Sequence, residues 1–267
     1  MTLENKRYLI TGASSGLGYA LLKRLLRIKG IQITAAARNI KSIKKLAKHQ
    51  VFPISCDCSR PQNVDALLDY AIRKMGGIDC VIACAGFGYF ERFDSKDFGH
   101  IERIFQTNVF SPLYTLQRLL EKTKGKISFV VISSALGKFG IPGMSLYCAT
   151  KYALDGFQDA YRFERPDRLH YMTVYPIGLE TGFWERISTN IPLPRPLQTA
   201  DAAAKAVLCG LRNDRRMVRT SLPAVLMWEI NRFLPVLVPA YQIWNKIRYE
   251  KWLNGRYGNR HYHTKRS

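Results

Sequence analysis

Short apolar runs alternate with segments of helical spacing along most of this chain, and this alternation restricts the possible folds more than any other feature. We predict strands at 7–11, 31–36, 51–56, 78–83, 127–133 and 170–174, with a last short strand at 217–220. Helices are predicted at 17–28, 40–48, 61–75, 98–122 and 146–163. Continuously apolar strands are typical of a parallel sheet covered on both faces. With right-handed crossovers, the pattern predicts an α/β fold with a doubly wound parallel sheet and helices on both faces.

The alternation stops near residue 211, and the sequence contains no internal repeat or low-complexity linker before that point. We therefore predict one domain over residues 1–221 and an apolar, basic, helical extension over 222–267. The composition, 47% hydrophobic and 23% charged residues, excludes a disordered or fibrous chain. Six cysteines in 267 residues are too few for a disulfide scaffold. Because no long apolar stretch precedes the first strand, we expect no secretory signal and a cytoplasmic location.

A glycine-rich turn follows the first predicted strand. The turn reads Thr11-Gly12-Ala13-Ser14-Ser15-Gly16-Leu17-Gly18 and leads into a helix. Such a turn lets backbone N–H groups approach a pyrophosphate at the positive end of the helix. Tight turns also use glycine for steric reasons alone, but the position of this one favours a dinucleotide site. The predicted contacts are Gly12, Ser14, Ser15, Gly16, Leu17 and Gly18.

The second predicted strand ends in Ala35-Ala36-Ala37-Arg38. A site that prefers NAD places Asp or Glu near this point to bind the ribose 2′-hydroxyl. Here an arginine is available to pair with a 2′-phosphate instead. We therefore predict that NADP(H) is preferred over NAD(H), the alternative being that Arg38 is a surface residue that starts the next helix.

A tyrosine four residues before a lysine occurs three times, as Tyr19/Lys23, Tyr70/Lys74 and Tyr147/Lys151. On a helix this spacing puts both side chains on one face. Only the third pair has a serine, Ser134, thirteen residues upstream at the end of an apolar strand. Ligands of such folds bind at the carboxyl ends of the strands. The other two pairs are expected on solvated helix faces.

Taken together, these residues resemble the short-chain dehydrogenases/reductases in their single-domain, Rossmann-like form. The resemblance extends over roughly residues 5–211. It is carried by the glycine-rich turn, Asp57, Ala85-Gly86, Asn108, Ser134, Tyr147, Lys151 and the segment from Pro176 to Thr181.

The resemblance implies a catalytic set of Asn108, Ser134, Tyr147 and Lys151. Tyr147 would act as general acid in carbonyl reduction, or as base in alcohol oxidation, with its pKa lowered by Lys151 and by the oxidised nicotinamide. Ser134 would donate a hydrogen bond to the substrate oxygen, and Asn108 would anchor a water molecule that links Lys151 to solvent.

The resemblance also implies the cofactor contacts. Asp57 would meet the adenine, Thr181 the nicotinamide carboxamide, and Lys151 the ribose hydroxyls. The further residues that the resemblance places against the cofactor are Cys58, Ala85, Gly86, Tyr147, Pro176 and Gly178. Two departures from the family pattern stand out: Ala83-Cys84 replaces two asparagines, and Ile177 replaces a common glycine. The first puts a structural hydrogen bond in doubt, and the second suggests an altered backbone path beside the nicotinamide.

The C-terminal part of the chain is unusually basic. The whole chain has 41 Lys and Arg against 20 Asp and Glu, and residues 212–267 contain 12 against 3. Prolines and charges interrupt the apolar stretch 222–244, which disfavours a membrane span. Glu229 and Arg232 can pair on one helix face.

An amphipathic helix is predicted after Pro239. Its apolar positions follow helical spacing among basic residues at Ala240, Ile243, Trp244 and Ile247, with Trp252 near the same side. This pattern favours an anionic membrane surface as partner; the alternatives are packing on the domain itself or on a second copy.

No nucleic-acid-binding motif is present, and the cysteine spacings match no common zinc site, so we expect neither nucleic acid nor metal. The leading hypothesis is an NADPH-dependent reductase of a hydrophobic carbonyl compound, lipid-, steroid- or retinoid-like, working peripherally at a membrane. Its substrate loop is predicted at 182–198, with Phe183, Trp184, Ile187, Ile191 and Leu193. The alternatives are a cytosolic reductase of a small carbonyl compound and a non-catalytic NADP-binding scaffold or sensor. A homodimer or homotetramer is expected.

Overall fold

The computed structural model describes residues 2–46, 49–94, 97–187 and 190–257. Its centre is a seven-stranded parallel sheet in the order β3-β2-β1-β4-β5-β6-β9. The strands are β1 (Arg7–Thr11), β2 (Gln32–Ala37), β3 (Val51–Ser55), β4 (Cys80–Ala83), β5 (Ile127–Ile132), β6 (Leu169–Tyr175) and β9 (Met217–Arg219). The predicted doubly wound parallel sheet is therefore confirmed.

Ten helices accompany the described strands. They are α1 (Gly16–Leu25), α2 (Lys41–Lys44), α3 (Pro61–Met75), α4 (Phe98–Phe105), α5 (Ser111–Lys122), α6 (Ser145–Glu164), α7 (Phe183–Ile187), α8 (Ala200–Arg212), α9 (Leu222–Phe233) and α10 (Leu237–Tyr257). A π-helical turn, Gln106–Phe110, joins α4 to α5, so residues 98–122 are helical throughout, as predicted. Residues 47 and 48 of the predicted second helix lie outside the described residues.

Two apolar clusters cover the two faces of the sheet. Ile10 and Ile82 belong to one cluster, whereas their neighbours Leu9 and Val81 belong to the other. All four side chains are fully buried. Because alternate residues of a strand point to opposite faces, a strand buried on both faces is apolar at most of its positions. This requirement explains the continuous apolar runs in the sequence.

A second, two-stranded parallel sheet was not predicted. It pairs β7 (Gly178–Glu180) with β8 (Leu197–Thr199), and α7 lies between them in the chain. The sheet therefore fixes both ends of the predicted substrate loop. Trp184 is held there as well, since its indole N–H donates to the Leu179 carbonyl oxygen at 2.7 Å.

The C-terminal extension packs on the domain through one face of α10. Val238 and Trp252 are buried in a third apolar cluster that also contains Phe90 and Met144. Trp252 therefore lies on the buried face of α10, and the expectation that it joins Trp244 on one apolar side is wrong. Trp244 is 40% exposed.

Polar contacts tie the extension to the rest of the domain, and one of them is donated by Arg248 of α10 to the Leu193 carbonyl oxygen at 2.9 Å. Gln242 donates to the Gly140 carbonyl oxygen at 2.8 Å, and Arg219 of β9 pairs with Glu229 of α9 at 2.5 Å. Glu229 thus contacts the sheet, and the side chain of its predicted partner Arg232 lies outside the described set. The basic residues among 258–267 also lie outside the described residues. None of the described helices combines the length and the apolar character that a membrane crossing needs.

Candidate active site

The cavity at the carboxyl edge of the parallel strands has a volume of about 670 Å³. It collects most of the side chains singled out in the sequence. The predicted residues that line it are Gly12, Ser15, Gly16, Leu17, Arg38, Asp57, Cys58, Ala85, Gly86, Ser134, Tyr147, Lys151, Pro176, Gly178 and Thr181. Three others, Ser14, Gly18 and Asn108, are not among its lining residues.

The glycine-rich turn needs its glycines for close backbone approach. Gly12 has a φ of +69°, and a Cβ there would lie 2.8 Å from the backbone of Ala85. A Cβ at Gly18 would lie 2.3 Å from the Gly12 carbonyl oxygen. Gly18 therefore packs the first turn of α1 against β1 and does not face the cavity. The carbonyl oxygen of Ser14 is also turned away, since it accepts a hydrogen bond from Ser42 at 2.7 Å.

Thr11 has a role that the sequence analysis did not assign. Its hydroxyl oxygen accepts hydrogen bonds from the backbone N–H groups of Cys84 and Ala85, at 3.1 and 3.2 Å. These bonds fasten the end of β1 to the turn after β4, where the two expected asparagines are missing. The turn is thus fixed without an amide side chain at position 84.

Asn108 lies inside the π-helical turn and is 1% exposed. Its Oδ1 accepts from the Phe87 N–H at 3.1 Å, and its Nδ2 donates to the Phe87 carbonyl oxygen at 2.8 Å. Nδ2 also donates to the Thr150 hydroxyl at 3.1 Å. Because Thr150 precedes Lys151, Asn108 connects the loop after β4 to the helix that carries the Tyr–Lys pair. Its water-anchoring role stays a prediction.

Ser134, Tyr147 and Lys151 meet at the centre of the cavity. Ser134 follows β5, and the other two share one face of α6, with the Lys151 ammonium 5.5 Å from the centre of the Tyr147 ring. Lys151 is 4% exposed and donates to the Ile132 carbonyl oxygen at 2.9 Å. The pairs Tyr19/Lys23 and Tyr70/Lys74 do not line the cavity.

Burial controls the protonation of Tyr147 and Lys151. It raises the pKa of Tyr147 well above its usual range, while a hydrogen bond with Ser134 lowers that pKa in part. Burial also lowers the pKa of Lys151 to about 8, so the ammonium form still predominates at neutral pH. The lowering of the Tyr147 pKa expected from Lys151 together with the oxidised nicotinamide stays a prediction. A protonated tyrosine at neutral pH is the form that donates a proton to a carbonyl oxygen.

Phe183 closes the cavity over Tyr147, with ring centres 5.8 Å apart. From the same short helix, Arg186 donates to the Ser15 hydroxyl at 3.2 Å. Arg186 was not among the residues predicted from the sequence. Its only sequence signal was its position five residues after Thr181, in the predicted substrate loop.

The residues present fit a nicotinamide dinucleotide. Gly12 and Gly16 line the cavity at the start of α1, where backbone N–H groups suit a pyrophosphate, and the ammonium of Lys151 suits the hydroxyls of a ribose. Such a cofactor would supply the hydride, and Tyr147 would exchange the proton at the substrate oxygen.

Comparison with known proteins decides the family. The family model described as short chain dehydrogenase matches residues 6–192. The chain belongs to the short-chain dehydrogenase family. It is therefore an oxidoreductase that acts on CH–OH or C=O groups with a nicotinamide cofactor.

Individual relatives agree with this assignment. A bovine (Bos taurus) protein named short-chain dehydrogenase/reductase family 16C member 6 is 33% identical over 78% of this chain and 69% of its own length. A 3-ketodihydrosphingosine reductase of Dictyostelium discoideum is 26% identical over 90% of this chain and 80% of its own. A Burkholderia cenocepacia short chain dehydrogenase, solved in complex with NADP, has a TM-score of 0.74 at 23% identity, covering 87% of this chain and 94% of that one.

In the described part of the chain, no three His, Cys, Asp or Glu side chains are grouped so as to hold a metal ion. Cys56 and Cys58, whose spacing matches no common zinc site, are both buried, with Sγ atoms 3.7 Å apart.

Proposed function

We propose that this protein is an NADPH-dependent reductase of a hydrophobic carbonyl compound and that it works at a membrane surface. The observation that carries the proposal is the composition of the cavity wall around Tyr147. Leu136, Phe139, Phe183, Trp184 and Ile187 line the cavity together with the catalytic group. Sites with mostly apolar walls and a few convergent polar groups bind apolar ligands whose reactive group is oriented by those polar groups.

The proposed NADP(H) preference rests on Arg38. It follows β2 directly and lines the cavity beside Asp57, whose pKa it helps to lower. Among the described residues, no carboxylate lies within ion-pair distance of its guanidinium. Arg38 therefore has donors free for a 2′-phosphate, and Ala37 leaves no acidic side chain to repel that group.

The relatives support a lipid-like substrate. One of them is named 3-ketodihydrosphingosine reductase, and the cavity wall around Tyr147 is apolar. We propose a lipid-, steroid- or retinoid-like ketone, with Ser134 and Tyr147 binding its oxygen.

A chain-length series tests this substrate class. We expect kcat/KM for NADPH-dependent reduction of straight-chain ketones to rise with length, by up to about fourfold for each methylene buried. NADPH consumption measured at 340 nm for aldehydes and ketones of increasing length gives the result. A preference for short, polar carbonyl compounds would instead support the alternative of a cytosolic reductase of small substrates.

The membrane proposal rests on exposed apolar side chains of α9 and α10. The large exposed apolar residues are Leu222, Leu226, Ile230 and Phe233 on α9, Leu234 and Val236 in the link between the helices, and Ile243, Trp244 and Ile247 on α10. Ile243 and Ile247 are 60% and 49% exposed and lie one turn apart on α10, with exposed Lys246 between them. Apolar side chains next to lysines favour an anionic lipid surface, since burial and charge attraction both contribute to binding.

We expect the full chain to sediment with anionic vesicles and to bind less as salt increases, because screening acts over ~10 Å at 0.1 M salt. Replacing Ile243 and Ile247 by serine should remove most of the binding that persists at high salt. The matched control is Phe163→Ser, which changes a 79% exposed aromatic residue on α6. Equal binding by all three proteins, or none by the unaltered chain, would contradict the membrane proposal.

A further inference from the structure

The charged side chains that line the active-site cavity are almost all cationic. They are Arg38, Lys138, Lys151, Arg186, Arg195 and Arg219, and Asp57 is the only acidic residue among the described residues of the lining. Arg38 and Lys151 would bind the proposed cofactor, and Arg186 donates a hydrogen bond to the glycine-rich turn. Lys138, Arg195 and Arg219 have no such explanation.

Lys138 and Arg219 flank the same residue at the end of β6. The Lys138 ammonium lies 5.3 Å from the centre of the Tyr175 ring, and Arg219 pairs with Tyr175 in the register of β6 and β9. Tyr175 comes directly before Pro176. The sheet order puts β6 and β9 on the opposite side of β1 from β2 and Arg38. The two cations are therefore at the end of the cavity away from the proposed 2′-phosphate position.

The two cations differ in how they are neutralised. Lys138 pairs with Asp155, whose side chain is only 8% exposed, so its charge is held towards the protein interior. Arg219 pairs with Glu229 of α9, whose side chain is 44% exposed. Glu229 is not among the residues that line the cavity, whereas Arg219 is. Arg219 thus contacts its carboxylate outside the cavity.

A guanidinium has five N–H donors, so one carboxylate does not saturate it. The hydrogen bond between the two residues joins one Nη atom of Arg219 to one oxygen of Glu229. Donors of Arg219 remain available to a ligand in the cavity. A partly exposed ion pair is also weak enough to give way to a second anion.

We infer that the substrate of this cavity carries an anionic group, a carboxylate or a phosphate, and that Arg219 binds it. The inference rests on the proposed function, because it names the substrate class of the same cavity. Lys138 adds positive potential at this end of the site, and a substrate with a protonated amine there is disfavoured. Arg219 is thus a specificity-determining residue.

Four probes with the same alkyl chain test the inference: dodecanoate, dodecyl phosphate, dodecanol and dodecylamine. Each is titrated calorimetrically, below its critical micelle concentration, into the full chain loaded with NADP⁺. We expect the two anions to bind about tenfold or more tightly than dodecanol, the effect of one charge-assisted hydrogen bond, and the amine to bind most weakly. The ratio of dodecanoate to dodecyl phosphate affinity tells which anion the site prefers.

Two variants of the ion pair separate recognition from a structural role. Arg219→Gln should reduce anion affinity to that of dodecanol, whereas Glu229→Gln should increase anion affinity several-fold by freeing the guanidinium. Both should leave dodecanol binding unchanged. Arg24→Gln is the matched control, since Arg24 pairs with Asp201 and does not line the cavity.

If Arg219 only anchors α9, Arg219→Gln and Glu229→Gln break the same ion pair. Both variants must then change the affinities for all four probes in the same direction, and this result would overturn the inference. Equal affinity of the unaltered chain for all head groups would do the same. Turnover is a separate readout. If the chain prefers anions but reduces no long-chain ketone, the proposed function is wrong and the anion site is supported. If it reduces such a ketone but shows no preference for anions, the anion site is wrong and the proposed function is supported.

Discussion

Tyr147→Phe is expected to reduce kcat for ketone reduction by at least ~100-fold, the lower range for losing a positioned acid–base group, while NADPH still binds. The reason is the position of the hydroxyl. Tyr147 lines the cavity together with Ser134, and burial keeps the hydroxyl protonated at neutral pH. Phenylalanine keeps the ring contact with Phe183 and removes only the proton donor. Steady-state kinetics and a fluorescence titration with NADPH measure the two effects separately.

Matched controls for this prediction are Tyr19→Phe and Tyr70→Phe. Each of these tyrosines also precedes a lysine by four residues, and each lysine ammonium lies close to the ring, at 5.4 and 6.0 Å. Neither tyrosine lines the cavity. Both variants should retain kcat within a few-fold of the unaltered enzyme. Near-normal turnover by Tyr147→Phe would show that another group supplies the proton.

Arg38→Ala is expected to raise the Kd for NADPH by about ten- to a hundredfold and to change the Kd for NADH little. A charge-assisted hydrogen bond stabilises a complex by ~1.5–3 kcal/mol, and only NADPH has the 2′-phosphate that accepts it. Parallel fluorescence titrations with the two cofactors measure the ratio.

Arg60→Ala is the matched control, because Arg60 also lowers the pKa of Asp57 but does not line the cavity. Arg60→Ala should change the Kd for NADPH and the Kd for NADH slightly and by the same factor. If Arg38→Ala weakens NADPH and NADH to the same extent, then Arg38 supports the adenine end of the site structurally, and the NADP preference loses its basis.

The sheet and the centre of the site follow from local sequence patterns. The runs at β1, β4 and β5 are apolar at nearly every position because both faces of those strands are buried, and such a run is recognisable without knowing what covers it. The glycine-rich turn is recognisable from its spacing alone, although only Gly18 is constrained by its own junction, through the Gly12 carbonyl oxygen, whereas Gly12 is constrained by the backbone of Ala85. The spacing of Ser134, Tyr147 and Lys151 then positions the catalytic group at the strand ends.

Features that depend on contacts distant in sequence were missed. The bond from Arg186 to Ser15 joins residues 171 positions apart, and Thr11 accepts from backbone N–H groups more than 70 positions away. The short β7–β8 sheet has no hydrophobic alternation of its own, because only three residues pair on each side. Likewise, helical spacing identified an apolar stripe on α10 but not that Trp252 packs against Phe90 beneath it.

The effect of burial on the Tyr147 pKa could not be predicted from the sequence. Proximity to Lys151 can be read from spacing, but desolvation depends on how completely the domain encloses the ring. In this structure enclosure dominates, and Lys151 itself has its pKa lowered to about 8 by the same burial.

Isotope transfer tests the central claim most directly. A long-chain ketone is incubated with the enzyme and with NADPH deuterated at the transferable C4 position, and the alcohol product is analysed by mass spectrometry. The account predicts that the product carries one deuterium, that Tyr147→Phe forms it at least ~100-fold more slowly, and that Tyr70→Phe forms it at the normal rate. An alcohol without deuterium, or no alcohol from any hydrophobic ketone although NADPH binds, would contradict the claim that this cavity reduces a hydrophobic carbonyl compound.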